Sequence, residues 1–253
     1  MVDKYTLSLI LPCKDEAQAL KRLLKEIPSY IDEVLIVDNG SSDNTSTVSA
    51  ASGARVIYEP RSNNGIGYGF AHLRGIQEAH GDILISMDAD GSYPLKSIAP
   101  LVKKLLTKNL DFISCNRIPL SVNSEIYFLR RGGIMFLNFL FQLLHKYAIK
   151  DALSGMWIFR RETGKKMMLK DGGWNFSLEI KMQAIANPGI AFREFSIPYH
   201  DRYFGKSKQN LFKTGITHAA YLVQTSQLWK KLKPSQTNVV KAQRRFRRAF
   251  NSS

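Results

Sequence analysis

Short, dense apolar runs alternate with stretches of helical apolar spacing over roughly the first 116 residues. Runs at 5–13, 33–38, 55–58, 83–87 and 112–115 read as strands. Segments 16–27, 43–51, 66–78 and 94–106 read as helices, the second of them following the polar turn 39–45, which is rich in capping residues. Strands alternating with helices imply right-handed crossovers and a mostly parallel sheet covered on both faces. In such sheets ligands bind beyond the carboxyl ends of the strands. The polar residues after each apolar run are therefore where chemistry is expected.

Beyond about residue 120 the pattern changes. Residues 125–148 read as one or two amphipathic helices, 153–160 as a short strand, 174–186 as a helix and 190–199 as a strand. A polar, basic loop at 200–210 leads into a last helix over 211–232. The expected organisation is one catalytic unit over 1–232, with a first half (1–118) and a second half (119–232), followed by a basic tail at 233–253. No internal repeat or low-complexity linker breaks this pattern.

A chain of 253 residues can bury a substantial core. Its 36 lysines and arginines against 21 acidic residues give a net charge of +15, which points to an anionic partner: nucleic acid, an anionic membrane surface or a phosphate-bearing substrate. No nucleic-acid-binding module or aromatic–basic strip accompanies the charge, so a nucleic-acid partner is not expected. Cys13 and Cys115 sit in or beside apolar runs and read as small buried residues of a reducing compartment. The N-terminus lacks the basic segment of a signal peptide, and no run reaches the ~18 apolar residues of a membrane span. Residues 132–145 are apolar enough to lie in a membrane interface; burial in the core is the other reading.

Asp88 and Asp90 flank one residue directly after the run 83–87. Residues two apart at a strand end point to one side, and two carboxylates so placed can hold a hard divalent cation such as Mg²⁺ or Mn²⁺. That cation would neutralise a diphosphate as it leaves. A polar turn is the bland alternative. Glu16 follows the first strand. Asp38 ends the second and could accept hydrogen bonds from a base edge or ribose, although helix capping accounts for part of the turn that follows it. Gly65, Gly67 and Gly69 would let the backbone approach a ligand closely. They do not have the spacing or place of a dinucleotide fingerprint.

In order, Pro12…Glu16, Asp38, Gly65…Gly69 and Asp88-Ala89-Asp90 resemble the N-terminal half of the family-two inverting glycosyltransferases of the GT-A fold. The later elements carry Arg117, Arg130-Arg131, Asp151 with Ser154-Gly155, and Arg202 with Gly205, Lys206, Ser207 and Lys208. They look like the branch that makes polyprenyl- or dolichyl-phosphate sugars, over roughly residues 5–230. The resemblance implies an α/β, Rossmann-like, mostly parallel sheet flanked by helices, with C-terminal amphipathic helices. It assigns Pro12, Glu16, Asp38, Gly65, Gly67, Asp88 and Ala89 to the nucleotide-sugar donor, and Asp88 and Asp90 to the metal. It assigns Arg117, Arg130, Arg131, Ser154, Arg202 and Ser207 to an acceptor phosphate, and catalysis to Asp90, Arg117, Arg131, Arg202 and Lys208. Lys14-Asp15 stands where the family often has Tyr-Asn, and Ser92 where mannose synthases commonly carry Gln, which leaves the sugar open.

A lipid phosphate is already an oxyanion and needs neutralising and orienting rather than a base. The expected reaction is therefore inverting transfer of a hexose, from a donor of the GDP-mannose or UDP-glucose type, to a polyprenyl phosphate. The expected place is the cytoplasmic face of a membrane, held peripherally; a homo-oligomer is compatible with the sequence. A hydroxyl acceptor would instead need a base, for which Asp151 and Glu179 are the candidates. A nucleotide-sugar-binding protein without catalysis is the third reading.

Overall fold

A computed structural model describes residues 4–62, 66–118, 125–205 and 207–232, with the backbone alone for 125–130 and 227–232. The sheet begins with β1 (Leu7–Cys13), whose alternation sends Leu7, Leu9, Leu11 and Cys13 into one core and Ile10 into another. Strands β2 (Glu33–Asp38), β3 (Arg55–Tyr58), β4 (Ile83–Ser86), β5 (Phe112–Asn116), β6 (Trp157–Arg160) and β7 (Phe192–Ser196) complete seven strands in the order β3-β2-β1-β4-β6-β5-β7. All pairs are parallel except those made by β6, which runs antiparallel to both β4 and β5. The mostly parallel expectation holds, and one reversed strand sits inside the sheet rather than at its edge.

Helices α1 (Ala17–Leu23) and α4 (Ile98–Thr107) pack on one face through Leu20, Leu23, Ile98, Leu101, Val102 and Leu105. On the other face lie α3 (Tyr68–Glu78) and α7 (Phe176–Ala186), with Ala71, Ile76, Phe176, Ile180 and Ala184 against the sheet. Short helices α2 (Thr45–Ala51) and α6 (Arg161–Lys165) fill connections, the latter not anticipated from the sequence. Segment 125–148 forms a single helix, α5 (Glu125–His145), which pairs with α8 (Leu211–Leu232). A third core joins this pair to α7 through Leu137, Phe141, Leu178, Met182 and Leu222.

Segment 132–145 presents a buried and an exposed apolar face in α5. Ile134, Leu137 and Phe141 are buried, while Met135, Phe136, Phe139 and Leu143 are exposed. On α8, Phe212, Ile216 and Val223 are exposed in the same way, Phe212 to 81%. No described helix is long and apolar enough to cross a membrane. Cys13 and Cys115 are both buried and unpaired. The proposed tail at 233–253 lies outside the described residues.

One contact fixes how closely α3 approaches the sheet. A Cβ on Gly75 would lie 2.3 Å from Ile10 Cγ2 and 3.2 Å from Val37 Cγ2. Both neighbours are β-branched and stiff at that torsion, so the helix would have to lift. Gly75→Ala should therefore lower stability by about 1–3 kcal/mol, measured as a reduced urea midpoint with an unchanged slope.

Candidate active site

The loops after β1, β2 and β4 converge because three parallel neighbours end at one edge. Side chains of the 41–45 turn stitch them together. Thr45 Oγ1 accepts the Glu16 amide at 2.9 Å, Asp43 accepts the Ala17 amide at 3.1 Å, and Asp15 Oδ1 accepts the Ser42 amide at 2.6 Å. The capping residues read from the sequence thus serve the start of α1, while the N-cap of α2, Asn44, makes no side-chain cap. Glu16 is carried by this scaffold to the mouth of the site.

Asp90 lies one turn beyond β4 and is buried. Its Oδ1 accepts the Ser92 amide at 3.0 Å and the Ser92 hydroxyl at 2.5 Å, and its Oδ2 accepts Arg202 Nη2 at 2.8 Å. The basic loop is further fixed by backbone bonds from His200 N to Ser92 O (3.0 Å) and from Tyr203 N to Asp90 O (2.8 Å). Gly91 is required twice over: its φ is +80°, and a Cβ there would lie 2.4 Å from the Tyr203 ring. Lys208 Nζ donates to Glu16 Oε1 at 2.9 Å, with Arg202 Nη1 3.9 Å from the same oxygen. Burial pushes the Glu16 carboxyl up, against the pull of Lys208 and Arg202.

A cavity of about 570 Å³ is enclosed by these residues. Pro12, Glu16, Asp88, Ala89, Asp90, Arg202, Ser207 and Lys208 all line it, so the structure brings together four of the expected donor residues and the two metal candidates with much of the basic loop. His200, exposed, also borders it. A second cavity of about 490 Å³ lies alongside, walled mainly by apolar residues of α5 and α8, with Asp88, Arg117 and Gly155 on its inner side. Asp88 therefore faces both spaces. Tyr68 Oη lies 3.4 Å from Asp88 Oδ1, and a Cβ on Gly155 would lie 3.1 Å from the same oxygen.

Other expected residues are placed differently. The buried Asp38 carboxylate accepts the Ser41 amide at 2.8 Å and the Ser46 hydroxyl, and it lines neither cavity. Its neighbour Asn39 does line the first cavity. Asn39 also clamps the following loop, donating to Glu59 O and Arg61 O at 2.8 Å and accepting the Gly67 amide at 2.5 Å. Gly67 and Gly69 are needed for contact with the chain itself rather than with a ligand. Their Cβ positions would each lie 2.1 Å from a carbonyl, that of Arg61 and that of Asp171. Gly65 and Lys206 lie outside the described residues, as does the side chain of Arg130. Arg131 is half-buried and Ser154 fully buried, and neither lines a cavity.

Arg117 reaches the apolar cavity but is buried and paired. Its Nε and Nη2 donate to Asp151 at 2.7 and 2.9 Å, and its amide donates to the same carboxylate at 3.1 Å. Lys181, fully buried, donates to the carbonyls of Asp151 and Ala152 at 3.0 and 2.7 Å. Burial alone would raise the Asp151 carboxyl; Arg117 and Lys181 bring it down to about 2. Burial lowers Lys181 despite Asp151. This network holds the 151–155 turn, whose Gly155 amide donates to Tyr93 Oη at 2.7 Å. Glu179 is likewise engaged, accepting the amides of Lys170 (3.0 Å) and Asp171 (2.9 Å). Among the histidines, burial lowers His72 to about 3 and His145 and His218 to about 4, in keeping with structural roles.

Comparison with known proteins identifies the family and the fold. The family model described as Glycosyl transferase family 2 matches residues 8–167. An uncharacterized glycosyltransferase of Mycobacterium tuberculosis is 32% identical over 201 residues, covering 79% of this chain and 88% of that protein. A dolichyl-phosphate hexose transferase of Haloferax volcanii is 29% identical over 225 residues, covering 86% of this chain and 92% of that one. Among solved structures, glucosyl-3-phosphoglycerate synthase from M. tuberculosis, in complex with Mn²⁺, UDP and glucosyl-3-phosphoglycerate, superposes with a TM-score of 0.70. The identity is 19%, over 92% of this chain and 82% of that one, a likeness of fold.

The Asp151 carboxylate gives an acid-stability signature. Its folded pKa is depressed, so its contribution is fully present above the unfolded value of about 3.9 and is lost as pH falls towards 2. Asp151→Asn leaves the Arg117 charge buried and should cost about 3–5 kcal/mol at pH 7. Urea midpoints measured from pH 6 to pH 2 should converge for the variant and the parent.

Proposed function

This chain belongs to glycosyl transferase family 2, and from that premise we propose that it transfers a hexose, with inversion, from a nucleotide-diphosphate sugar to a polyprenyl phosphate. The observation that carries the acceptor assignment is the second cavity. It is apolar, it opens between α5 and α8, and its inner end meets Asp88 and Arg117. A lipid phosphate fits such a space, with its chain among the apolar side chains and its head at the polar end. The acceptor of the glucosyl-3-phosphoglycerate synthase likeness also bears a phosphate, but a small polar acid would not need walls of Phe136, Leu137, Leu211 and Phe212.

The donor side follows from charge. Asp88 and Asp90 share one cavity and are hard oxygen donors suited to Mg²⁺ or Mn²⁺. Among the described residues no third His, Cys, Asp or Glu completes a metal cluster, so diphosphate oxygens and water would fill the remaining positions. Bound there, the ion supplies neutralisation of the departing diphosphate. Arg202 and Lys208 add charge-assisted donors for phosphate oxygens. In the reaction an acceptor phosphate oxygen forms a bond to the anomeric carbon. The bond from that carbon to the diphosphate oxygen breaks, its electron pair leaving with the nucleotide. Arg117, fixed by Asp151, is aimed rather than free to swing, as suits orientation of an anion.

A hydroxyl acceptor is the weaker reading. Asp151 and Glu179, its candidate bases, are held by Arg117 and by backbone amides, and Asp88 is the one carboxylate among the residues lining the apolar cavity. The exposed faces of α5 and α8 support peripheral attachment at a membrane surface, which we place on the cytoplasmic side with the notional donor pool.

Purified protein should form lipid-linked hexose from polyprenyl phosphate in vesicles with at least one of GDP-mannose, UDP-glucose or UDP-GlcNAc, in the presence of Mg²⁺ or Mn²⁺. No turnover with any of these donors would sink the proposal. Asp90→Asn should reduce transfer by at least about 10²-fold. Placing charge on the exposed stripe, as Phe139→Glu with Phe212→Glu, should cut sedimentation with anionic vesicles about tenfold or more while nucleotide binding persists.

A further inference from the structure

The two cavities meet at common lining residues. They share Tyr68, Asp88, Trp174 and Gln209. A group moved from a ligand in one space to a ligand in the other must pass this junction. Two of the four shared residues are aromatic and stacked, Tyr68 on Trp174, with ring centroids 4.6 Å apart and planes 28° from parallel. Trp174 is only half-buried, so its indole is still reachable from the cavities it lines.

The loop bearing Trp174 is built with unusual closeness to α3. The amides of Gly69 and Phe70 both donate to Gly172 O, at 3.0 and 3.3 Å. A Cβ on Gly69 would lie 2.1 Å from Asp171 O, and one on Gly172 would lie 2.2 Å from the Phe70 ring. Glu179 takes the amides of Lys170 and Asp171, Asp171 Oδ1 takes that of Gly173 at 2.8 Å, and the Ser177 hydroxyl donates to Trp174 O at 3.0 Å. Gly69 cannot be replaced without parting the loop from the helix, and a side chain on Gly172 would have to displace the Phe70 ring. The effect of these contacts is to fix one indole beside Asp88.

We propose that Trp174, backed by Tyr68, is the platform on which the transferred hexose rests, and so a residue that determines donor-sugar preference. A pyranose presents a patch of C–H bonds on one face and hydroxyls around its rim. The patch is apolar and lies well on an aromatic face, while the rim is left to polar neighbours such as Gln209 and Asp88. The stack with Tyr68 covers one side of the indole, and the proposal gives the other side to the sugar. This inference rests on the donor assignment above and adds which side chain holds the sugar rather than the nucleotide.

The test compares binding of UDP with UDP-glucose, and of GDP with GDP-mannose, each with Mn²⁺, by calorimetry on the full chain. In the parent protein the sugar should strengthen binding of one pair over its bare nucleotide. In Trp174→Ala that increment should fall by about three- to tenfold with nucleotide affinity unchanged, and Trp174→Phe should restore most of it. A structural role would instead weaken nucleotide and sugar nucleotide alike, or lower thermal stability with the increment retained; either result overturns the platform. So does a parent protein that binds a sugar nucleotide no more tightly than its nucleotide. A parent protein that binds none of the four probes removes the donor assignment itself.

Discussion

The ion pair between Arg202 and Asp90 closes 112 positions of sequence into one contact of 2.8 Å, and the site depends on it. Without it, the loop after β7 would be a solvated basic segment and Asp90 a strand-end acid. With it, and with the backbone bonds from His200 and Tyr203, the loop becomes a wall of the first cavity. Lys208 on Glu16 makes the second attachment, to the far side of β1. Exposed pairs of this kind contribute little to stability. This one is half-sheltered and its Asp90 side is buried, so its principal effect is geometric: it sets which cations line the first cavity.

Below that wall the charges are buried and committed to one another. Arg117, Asp151 and Lys181 lie almost wholly out of water, and each has its partners. Such a cluster is costly to desolvate and is not a source of net stability. It does impose one arrangement on the 151–155 turn, and that turn puts Gly155 against Asp88. Stability and site geometry are thus linked through a glycine whose Cβ would press on Tyr68 and Asp88.

Much of this was legible in the sequence, for physical reasons that can be named. Alternation in β1 and helical spacing in α4 report burial directly, and the strand-end acids stand out because they interrupt apolar runs. What escaped was long-range. Nothing local in residues 157–160 declares that β6 runs against its neighbours. The glycines at 67 and 69 were conspicuous, but the carbonyls of Arg61 and Asp171 that require them are remote in the chain or out of pattern. Asp38 drew attention as a strand-end acid, whereas Asn39 beside it lines the cavity and clamps the 59–67 loop. Trp174 opens the segment read as a helix over 174–186, whereas α7 begins at Phe176 and leaves Trp174 in the loop before it. It could have been found only by asking why two glycines precede a tryptophan ahead of an apolar helix.

The shared lining of the two cavities bears on how this scaffold could be re-engineered. Gln209 belongs to both spaces, so altering it changes the chemistry seen by both ligands and confounds any attempt to widen acceptor range. Phe212 and Thr214 border the apolar space alone. Under the proposed acceptor, remodelling there would redraw the chain-length tolerance of the apolar space while the first cavity keeps its original walls, which makes these positions the natural place for a library aimed at unnatural lipids.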